Sequence, residues 1–362
     1  MTHAPATTET VPAAESPVGP LYKILVIGPS WIGDTVLAQP LLRRLHERHA
    51  ELEVNVLAPS WTLPLLRRMP EVAEAIASPF GHGQLALPER WRLARQLATR
   101  GYDQSIVLPN SFKSALIPKL AGIRRRTGYV GELRYPLLND ARRLDEKALP
   151  LMVERYAALA DPRGTRLTRP LPMPRLSTRL PERAALRSRL TLTRDAPVAA
   201  LCPGAEYGPA KRWPPAYFAD LARRLASEGW QVWLIGSAKD AAIGAEIASR
   251  SAGDCIDLCG RTNLDEAVDL LSCARLVVSN DSGLMHVAAA LDVPLIALYG
   301  SSSPAFTPPL SPSARILKLD LPCSPCFQRE CPLHHFNCMN QLKPDRVYGA
   351  ISELQAGVAM RT

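Results

Sequence analysis

Short apolar runs alternate with amphipathic segments along the first half of the chain. Residues 23–27 (KILVI) form an apolar run that is typical of a strand buried on both faces of a parallel sheet. Residues 53–57 and 104–108 have the same character and predict two further strands. Residues 35–49 predict a helix, because apolar side chains recur on one side of it at Leu37, Leu41, Leu42 and Leu45.

The second half of the chain repeats this alternation. Apolar runs predict strands at residues 198–202, 231–235, 276–279 and 294–299, and amphipathic segments predict helices at 215–228, 265–272 and 283–291. Strands that alternate with helices indicate an α/β fold with parallel sheets. We therefore expect two Rossmann-like domains whose sheets face each other across a cleft, with ligands beyond the carboxyl ends of the strands.

Segments with an unusual composition indicate where the domains begin and end. Residues 161–181 contain five prolines and cannot form a regular element, so they mark the boundary between the domains. We expect a first domain over residues 21–175, with its linker from about 161, and a second over 196–343. Residues 1–20 have no Lys or Arg and predict a disordered tail, and residues 344–362 predict a C-terminal helix.

The overall composition indicates a soluble globular protein. Hydrophobic residues make up 47% and charged residues 21% of the chain, and no apolar run approaches the length needed to cross a bilayer. The amino terminus has no charged start followed by an apolar core, so the cytoplasm is the expected compartment. The net charge is +9, and residues 21–150 hold 19 Lys and Arg against 12 Asp and Glu. This surplus suits an anionic partner or simple solubility, and no basic, aromatic-rich stripe predicts nucleic-acid binding.

The loop after the first predicted strand (GPSWIGDT) has the glycine spacing of a phosphate-binding loop but carries Asp34 where such loops carry lysine. A carboxylate there repels phosphate, and the three-glycine pattern of a dinucleotide site is also missing. Two interpretations of Asp34 remain open. It accepts a proton from a substrate hydroxyl, or it is an acid that stabilises the first turn of a helix.

The second domain contains the residues expected of a diphosphate site. Asp281, Ser282 and Gly283 follow a predicted strand and open a helix, where free backbone N–H groups bind anions, and His286 lies one turn further on. Lys211 lies in a Gly/Pro loop, where it either neutralises a leaving diphosphate or is an ordinary solvated lysine. No D-x-D sequence occurs in the chain, so we expect protein donors to neutralise the diphosphate without a metal ion.

Several long segments resemble the ADP-heptose:lipopolysaccharide heptosyltransferases. They are KILVIGPSWIGDTVLAQPLL, LPNSFKSALIPKLAGIRRRTGY, LMVERYAAL, CPGAEYGPAKRWP, GSAKD and NDSGLMHVAAAL. The resemblance implies the GT-B fold, with the acceptor on the first domain and the donor nucleotide on the second. It also implies inverting transfer without a required cofactor. The PSWIGD and LPNSFKSA segments favour an acceptor that already carries one heptose.

The resemblance also implies roles for individual residues. Asp34 corresponds to the general base and Lys211 to a phosphate-binding lysine. Asp281, Ser282, Gly283 and His286 match the pyrophosphate and sugar motif, and Asp240 is a less certain match to a ribose-binding acid. The expected acceptor contacts, each of which would otherwise pass as ordinary surface polarity, are Asn110, Lys113, Arg124, Arg125 and Arg126.

The implied partners are ADP-heptose and a lipid A–Kdo–heptose acceptor. Peripheral contact with the cytoplasmic face of the inner membrane is expected, with no nucleic acid. Alternatives are a first or third heptosyltransferase with a different acceptor, a nucleotide-sugar epimerase of the same build, and a non-catalytic nucleotide-binding protein.

A cysteine-rich segment departs from the family pattern. Cys323, Cys326, Cys331 and Cys338 have metal-ligand character, with spacings that are irregular for a zinc ribbon. A structural zinc ion and a group of reduced cysteines in a proline-rich loop are both open interpretations, and neither has a catalytic duty.

Overall fold

The structure is a computed structural model that describes residues 21–80, 84–192 and 194–359. The predicted disordered tail, residues 1–20, lies outside the described residues, as do the last three residues of the predicted C-terminal helix.

The first lobe is built on a six-stranded parallel sheet with the strand order β3-β2-β1-β4-β5-β6. Its innermost strands, β1, β2 and β4, are buried along most of their length. Within the pairing, Ile24 lies opposite Val54 on one side and opposite Gln104 on the other. The strands are β1 (Tyr22–Ile27), β2 (Leu52–Pro59), β3 (Glu74–Ser78), β4 (Gln104–Val107), β5 (Arg125–Tyr129) and β6 (Asp140–Arg142).

The second lobe repeats this plan with a sheet in the order β12-β11-β10-β7-β8-β9. All of its strand pairs are parallel, and the four central strands are fully buried. The strands are β7 (Val198–Cys202), β8 (Gln231–Leu234), β9 (Ile256–Asp257), β10 (Leu276–Asn280), β11 (Leu295–Leu298) and β12 (Ala314–Leu317).

Both sheets have the doubly wound order in which the direction of winding reverses beside the first strand of the unit. The reversal lies between β1 and β4 in the first lobe and between β7 and β10 in the second. The predicted class, α/β with two Rossmann-like parallel sheets, is confirmed. At this reversal the loops after the two neighbouring strands run to opposite faces of the sheet, which leaves a crevice for ligands at the carboxyl ends of the strands in each lobe.

Helices connect successive strands. In the first lobe and linker they are α1 (Ile32–Leu37), α2 (Gln39–Arg48), α3 (Leu63–Leu66), α4 (Leu87–Ala98), α5 (Phe112–Leu120), α6 (Met152–Ala157) and α7 (Leu180–Arg189). In the second lobe they are α8 (Pro215–Ser227), α9 (Ala241–Arg250), α10 (Leu264–Leu271), α11 (Gly283–Ala290), α12 (Asn337–Asn340) and α13 (Pro344–Ala359). No helix in the described part of the chain has the length and apolar character that crossing a membrane requires.

The predicted helix over residues 35–49 needs correction. The structure begins the helix earlier, at Ile32, and divides it at Ala38 into α1 and α2. Pro40 explains the division, because proline has no N–H to donate and its ring clashes with the carbonyl four residues earlier. The short α1 carries Asp34 in its first turn.

The two lobes are packed together at buried contacts. Arg68, after α3, is fully buried and forms ion pairs with Asp265 and Asp269 of α10. The irregular segment between Ala160 and Leu180 crosses between the lobes, where the Leu176 N–H donates to the carbonyl of Ala290 at 3.1 Å. The helices α1 and α11 also meet across the interface.

Candidate active site

The site is formed where the switch-point loops of the two lobes face each other. The loop after β1 leads into α1, and the loop after β10 leads into α11, so the N-termini of two helices meet. Two glycines allow this approach. A Cβ added at Gly33 would lie 2.7 Å from Cδ2 of His286, and one added at Gly283 would lie 2.7 Å from Cβ of Ile32. Any larger residue would therefore push the helices apart.

Asp34 reaches this junction from the first lobe. It is the third residue of α1, and no hydrogen bond to its carboxylate is found among the described residues, so it is not a side-chain cap of the helix. Burial raises the pKa of Asp34 to about 6, an effect that nearby Lys211 reduces and nearby Asp281 reinforces. The carboxylate of one lobe thus faces a cation and an acid of the other.

Lys211 is fixed at the end of a short 3₁₀ turn, Pro209–Lys211. Its Nζ lies 2.5 Å from Oδ2 of Asp281, which also accepts a hydrogen bond from Ser302 Oγ at 2.5 Å. The ammonium group lies 5.1 Å from the centre of the Tyr207 ring, a cation–π contact. Sequence reasoning missed Ser302 and Tyr207, because neither belongs to a motif with recognisable chemistry.

Asn280 links the two loops of the second lobe. Its Nδ2 donates to the carbonyl of Pro203 at 2.7 Å, and its Oδ1 accepts the N–H of Trp213 at 3.1 Å. The side chain is completely buried, so these contacts fix the Lys211 loop against the start of α11. Its place directly before Asp281 was visible in the sequence, but its anchoring contacts were not.

His286 is buried against Gly33 of the opposite lobe. The pKa of His286 is lowered to about 4, mainly by burial; Asp281 opposes this shift and the charge of Lys211 adds to it. The imidazole is therefore neutral at neutral pH. It can still donate one N–H to a phosphate oxygen, but it brings no charge.

Ser282 and Asp240 follow two different strands of the second lobe, β10 and β8. Ser282 Oγ is 3.2 Å from Ser279 Oγ, at the entry to α11. The Asp240 carboxylate accepts hydrogen bonds from the backbone N–H and hydroxyl of Ser237 at 2.9 and 2.7 Å. A Cβ added at Gly204 would lie 2.6 Å from both carboxylate oxygens of Asp240, so the acid packs directly against that glycine. A contact between Asp240 and a ribose stays a prediction.

A cavity of about 710 Å³ opens beside Asp34 at the carboxyl ends of the first-lobe strands. Asn110, Lys113 and Glu132 supply its polar side, and the Asn110 amide oxygen is held by Arg134 at 2.8 Å. Polar and aromatic side chains that line the same cavity suit a ring-shaped polar ligand. The aromatic lining consists of Trp31, Trp61, Phe80, Phe112 and Tyr156.

The structure does not bring the three predicted arginines into this cavity. Arg124 precedes β5 and Arg125 begins it, so they lie at the amino ends of the strands, opposite the cavity edge. Arg125 pairs with Asp140 at 3.2 Å, and Arg126 donates to the carbonyls of Leu137 and Ile123. Their contact with a glycolipid stays a prediction.

The four cysteines of the cysteine-rich segment, Cys323, Cys326, Cys331 and Cys338, line one small pocket in the second lobe together with Ala210 and Ser301. All four are free thiols. Within residues 21–80, 84–192 and 194–359, no group of three or more His, Cys, Asp or Glu side chains is arranged to hold a metal ion. The four sulfur atoms line the same pocket, but no three of them are arranged closely enough to bind one metal ion.

Residues 90–337 match the sequence profile of glycosyltransferase family 9 (heptosyltransferase). The chain belongs to this family. It is 53% identical over 306 residues to lipopolysaccharide heptosyltransferase 2 of Salmonella typhimurium, covering 82% of this chain and 88% of that protein. It is 45% identical to lipooligosaccharide heptosyltransferase 2 of Haemophilus ducreyi, covering 92% and 99%.

The solved structure of the Escherichia coli ADP-heptose LPS heptosyltransferase II superimposes with a TM-score of 0.84 at 46% identity, covering 93% of this chain and 99% of that one. The prediction of a GT-B-type heptosyltransferase is therefore confirmed. For this family 9 glycosyltransferase, the site described above is the candidate centre of the transfer reaction.

Proposed function

We propose that this family 9 enzyme transfers L-glycero-D-manno-heptose from ADP-heptose onto the first heptose of the lipopolysaccharide inner core, with inversion at the anomeric carbon. The observation that carries the proposal is the junction of the two lobes. A partly buried carboxylate, Asp34, faces the Lys211–Asp281 pair, and its pKa is raised to about 6, mainly by burial, while both members of the pair act on its charge. A base from one lobe and a diphosphate site from the other suit a displacement reaction between two bound sugars.

In this mechanism Asp34 removes the proton from an acceptor hydroxyl while that oxygen attacks the anomeric carbon of the donor. The bond from the anomeric carbon to the diphosphate oxygen breaks, and ADP leaves with the electron pair. With a pKa of about 6, Asp34 is ionised at neutral pH and is more basic than an exposed aspartate.

The leaving diphosphate gains negative charge in the transition state. Lys211, the neutral N–H of His286 and the free backbone N–H groups at the start of α11 are the donors that we assign to it. Ser282 and Gly283 are small residues that leave the N–H groups of that helix start accessible to the diphosphate. Asp240 is assigned to the ribose of the donor. The absence of a D-x-D sequence supports catalysis without a metal cofactor.

The two lobes divide the work in this proposal. Residues 21–175 bind the acceptor in the aromatic cavity with Asn110 and Lys113, and residues 196–343 bind the donor. The phosphorylated lipid A–Kdo–heptose acceptor suits the basic charge of the first lobe. A peripheral position at the cytoplasmic face of the inner membrane follows, and added salt is expected to release the protein from membranes without detergent.

The deciding experiment measures ADP release with defined donor and acceptor. The purified chain is incubated with ADP-heptose and with acceptors that carry zero or one heptose. Turnover only with the one-heptose acceptor is expected, in agreement with the heptosyltransferase 2 relatives. Turnover only with the heptose-free acceptor would indicate a first heptosyltransferase. A requirement for an acceptor with more than one heptose would indicate a third heptosyltransferase. Conversion of the sugar nucleotide without any acceptor would instead indicate an epimerase.

A further inference from the structure

The cysteine-rich segment, residues 323–338, runs from the loop after β12 into α12 and surrounds one small pocket. Cys323, Cys326, Cys331 and Cys338 line it together with His335, and it encloses about 20 Å³. A space of that size holds about one water-sized species. Four thiols that are spread over sixteen residues of sequence therefore line the same small pocket.

Local hydrogen bonds orient the side chains around this pocket. The Phe336 N–H donates to Cys331 Sγ at 3.4 Å. His335 Nδ1 accepts the N–H of Asn337 at 3.0 Å and lies 4.0 Å from Cys331 Sγ. Four sulfur donors around one pocket match the preference of zinc for tetrahedral thiolate sites.

We propose that Cys323, Cys326, Cys331 and Cys338 bind one zinc ion that anchors this segment behind the donor site. Since no three of these side chains stand at ligand spacing in the structure, binding draws the sulfurs inward by side-chain rotation, to Zn–S distances of about 2.3 Å. The four thiols release their protons to solvent as they bind the ion. No electron is transferred.

The anchored segment is tied directly to the residues that face the diphosphate. The Ala210 N–H donates to the carbonyl of Arg329 at 3.0 Å, one residue before Lys211. The Phe327 N–H donates to the carbonyl of Ser301 at 2.7 Å, one residue before Ser302, which hydrogen-bonds to Asp281. Ala210 and Ser301 also line the thiol pocket itself. Both contacts come from the stretch between Cys326 and Cys331.

A fixed loop loses less conformational freedom when it binds a ligand than a loose one. The metal is therefore expected to increase the affinity of the Lys211 loop for a nucleoside diphosphate. This second part of the inference rests on the proposed function, whereas metal binding itself does not.

The first experiment measures metal content. The full chain is purified under reducing conditions without chelator, and zinc and iron are determined by elemental analysis. We expect about one equivalent of zinc in the wild type and less than about a tenth in Cys326→Ser and Cys331→Ser. Cys255→Ser, which changes a partly buried cysteine outside the segment, and His335→Gln are expected to retain the ion.

Less than a tenth of an equivalent in the wild type, even after incubation with zinc, overturns the site. One equivalent of iron instead of zinc overturns the identity of the ion. Retention of zinc in both serine variants overturns the ligand set.

The second experiment measures ADP binding by calorimetry before and after removal of the ion with a chelator, with thermal unfolding as the check on folding. We expect the Kd for ADP to rise about tenfold while the chain stays folded, and readdition of zinc to restore it. An unchanged Kd overturns the link to the donor site. Failure of heptose transfer with an intact zinc content would instead count against the proposed function alone.

Discussion

Asp34 is held between two lobes, where burial raises its pKa to about 6. We expect Asp34→Asn to lower turnover by about 10²–10⁴-fold, the usual contribution of a positioned base. The wild-type kcat/KM should fall with pH below about 6, because the protonated carboxyl accepts no proton. Steady-state ADP release measures both.

The matched control is Asp292→Asn at the far end of α11. Asp292 has a φ of 54°, a conformation that asparagine tolerates well, so the control keeps the fold. Equal turnover in Asp34→Asn and Asp292→Asn would show that Asp34 is not the base of the reaction.

The same pKa shift predicts a change in stability. The folded pKa lies above the ordinary value of 3.8, so the native state holds this proton more tightly than the unfolded state, and its stability falls as the pH rises from about 4 to 6. Asp34→Asn removes the buried charge and should raise the free energy of unfolding by about 1–2 kcal/mol at pH 8. The gain should shrink as the pH falls towards 4.

Urea unfolding of both proteins at pH 8 and pH 4.5 tests this linkage. A variant that is less stable than the wild type at pH 8 would show that Lys211 compensates the buried charge fully.

Sequence reasoning identified Asp34 and Lys211 separately, each with an alternative interpretation. It did not predict the depth of burial of Asp34 or its approach to Asp281, because those depend on how two lobes pack. Asn280 shows the same limit, since a buried amide that joins two loops has no local pattern.

Among the elements, the interior strands other than β5 were predicted closely because they are largely buried. The interior strand β5 was missed because it begins with two arginines and has no apolar run. The strand predicted at residues 198–202 has those bounds in the structure, and the strand predicted at 104–108 ends one residue earlier. The edge strands β3, β6, β9 and β12 were missed. They are short or half exposed, so they lack the continuous apolar run that marks a buried strand.

The contact of α1 with α11 depends on Gly33 and Gly283, and this gives a prediction at the scale of elements. A methyl group at either position meets the opposite helix at 2.7 Å, so the helices must separate. We expect Gly33→Ala and Gly283→Ala to lower kcat by about tenfold to a hundredfold, since small displacements of reacting groups have large effects on rate.

Gly349→Ala in α13 is the matched control, because no atom lies within 4 Å of the added Cβ and alanine favours a helix. Steady-state kinetics and circular dichroism separate the outcomes. Normal kcat in both interface variants would show that the helices need not stay in contact during turnover.

At the scale of the whole molecule, one buried arginine joins the lobes. Arg68 Nε lies 2.7 Å from Asp265 Oδ1, and its terminal nitrogens lie 2.8 and 2.7 Å from the Asp269 oxygens. The guanidinium also donates to the carbonyl of Ser177 in the linker at 3.0 Å. First lobe, linker and second lobe therefore meet at one side chain. The sequence did not predict this, because the adjacent Arg67 looks the same and is exposed.

Removing Arg68 leaves the Asp269 carboxylate buried without its partner. We expect Arg68→Met to lower the free energy of unfolding by about 3–5 kcal/mol, the usual cost of breaking a buried ion pair on one side. Arg67→Met, at the exposed neighbour, should change it by less than about 0.5 kcal/mol. Adding Asp269→Asn to Arg68→Met should recover part of the loss, because the uncompensated charge is then gone. Urea unfolding of the four proteins measures these differences, and equal midpoints for Arg67→Met and Arg68→Met would show that the ion pairs of Arg68 do not stabilise the packing of the lobes.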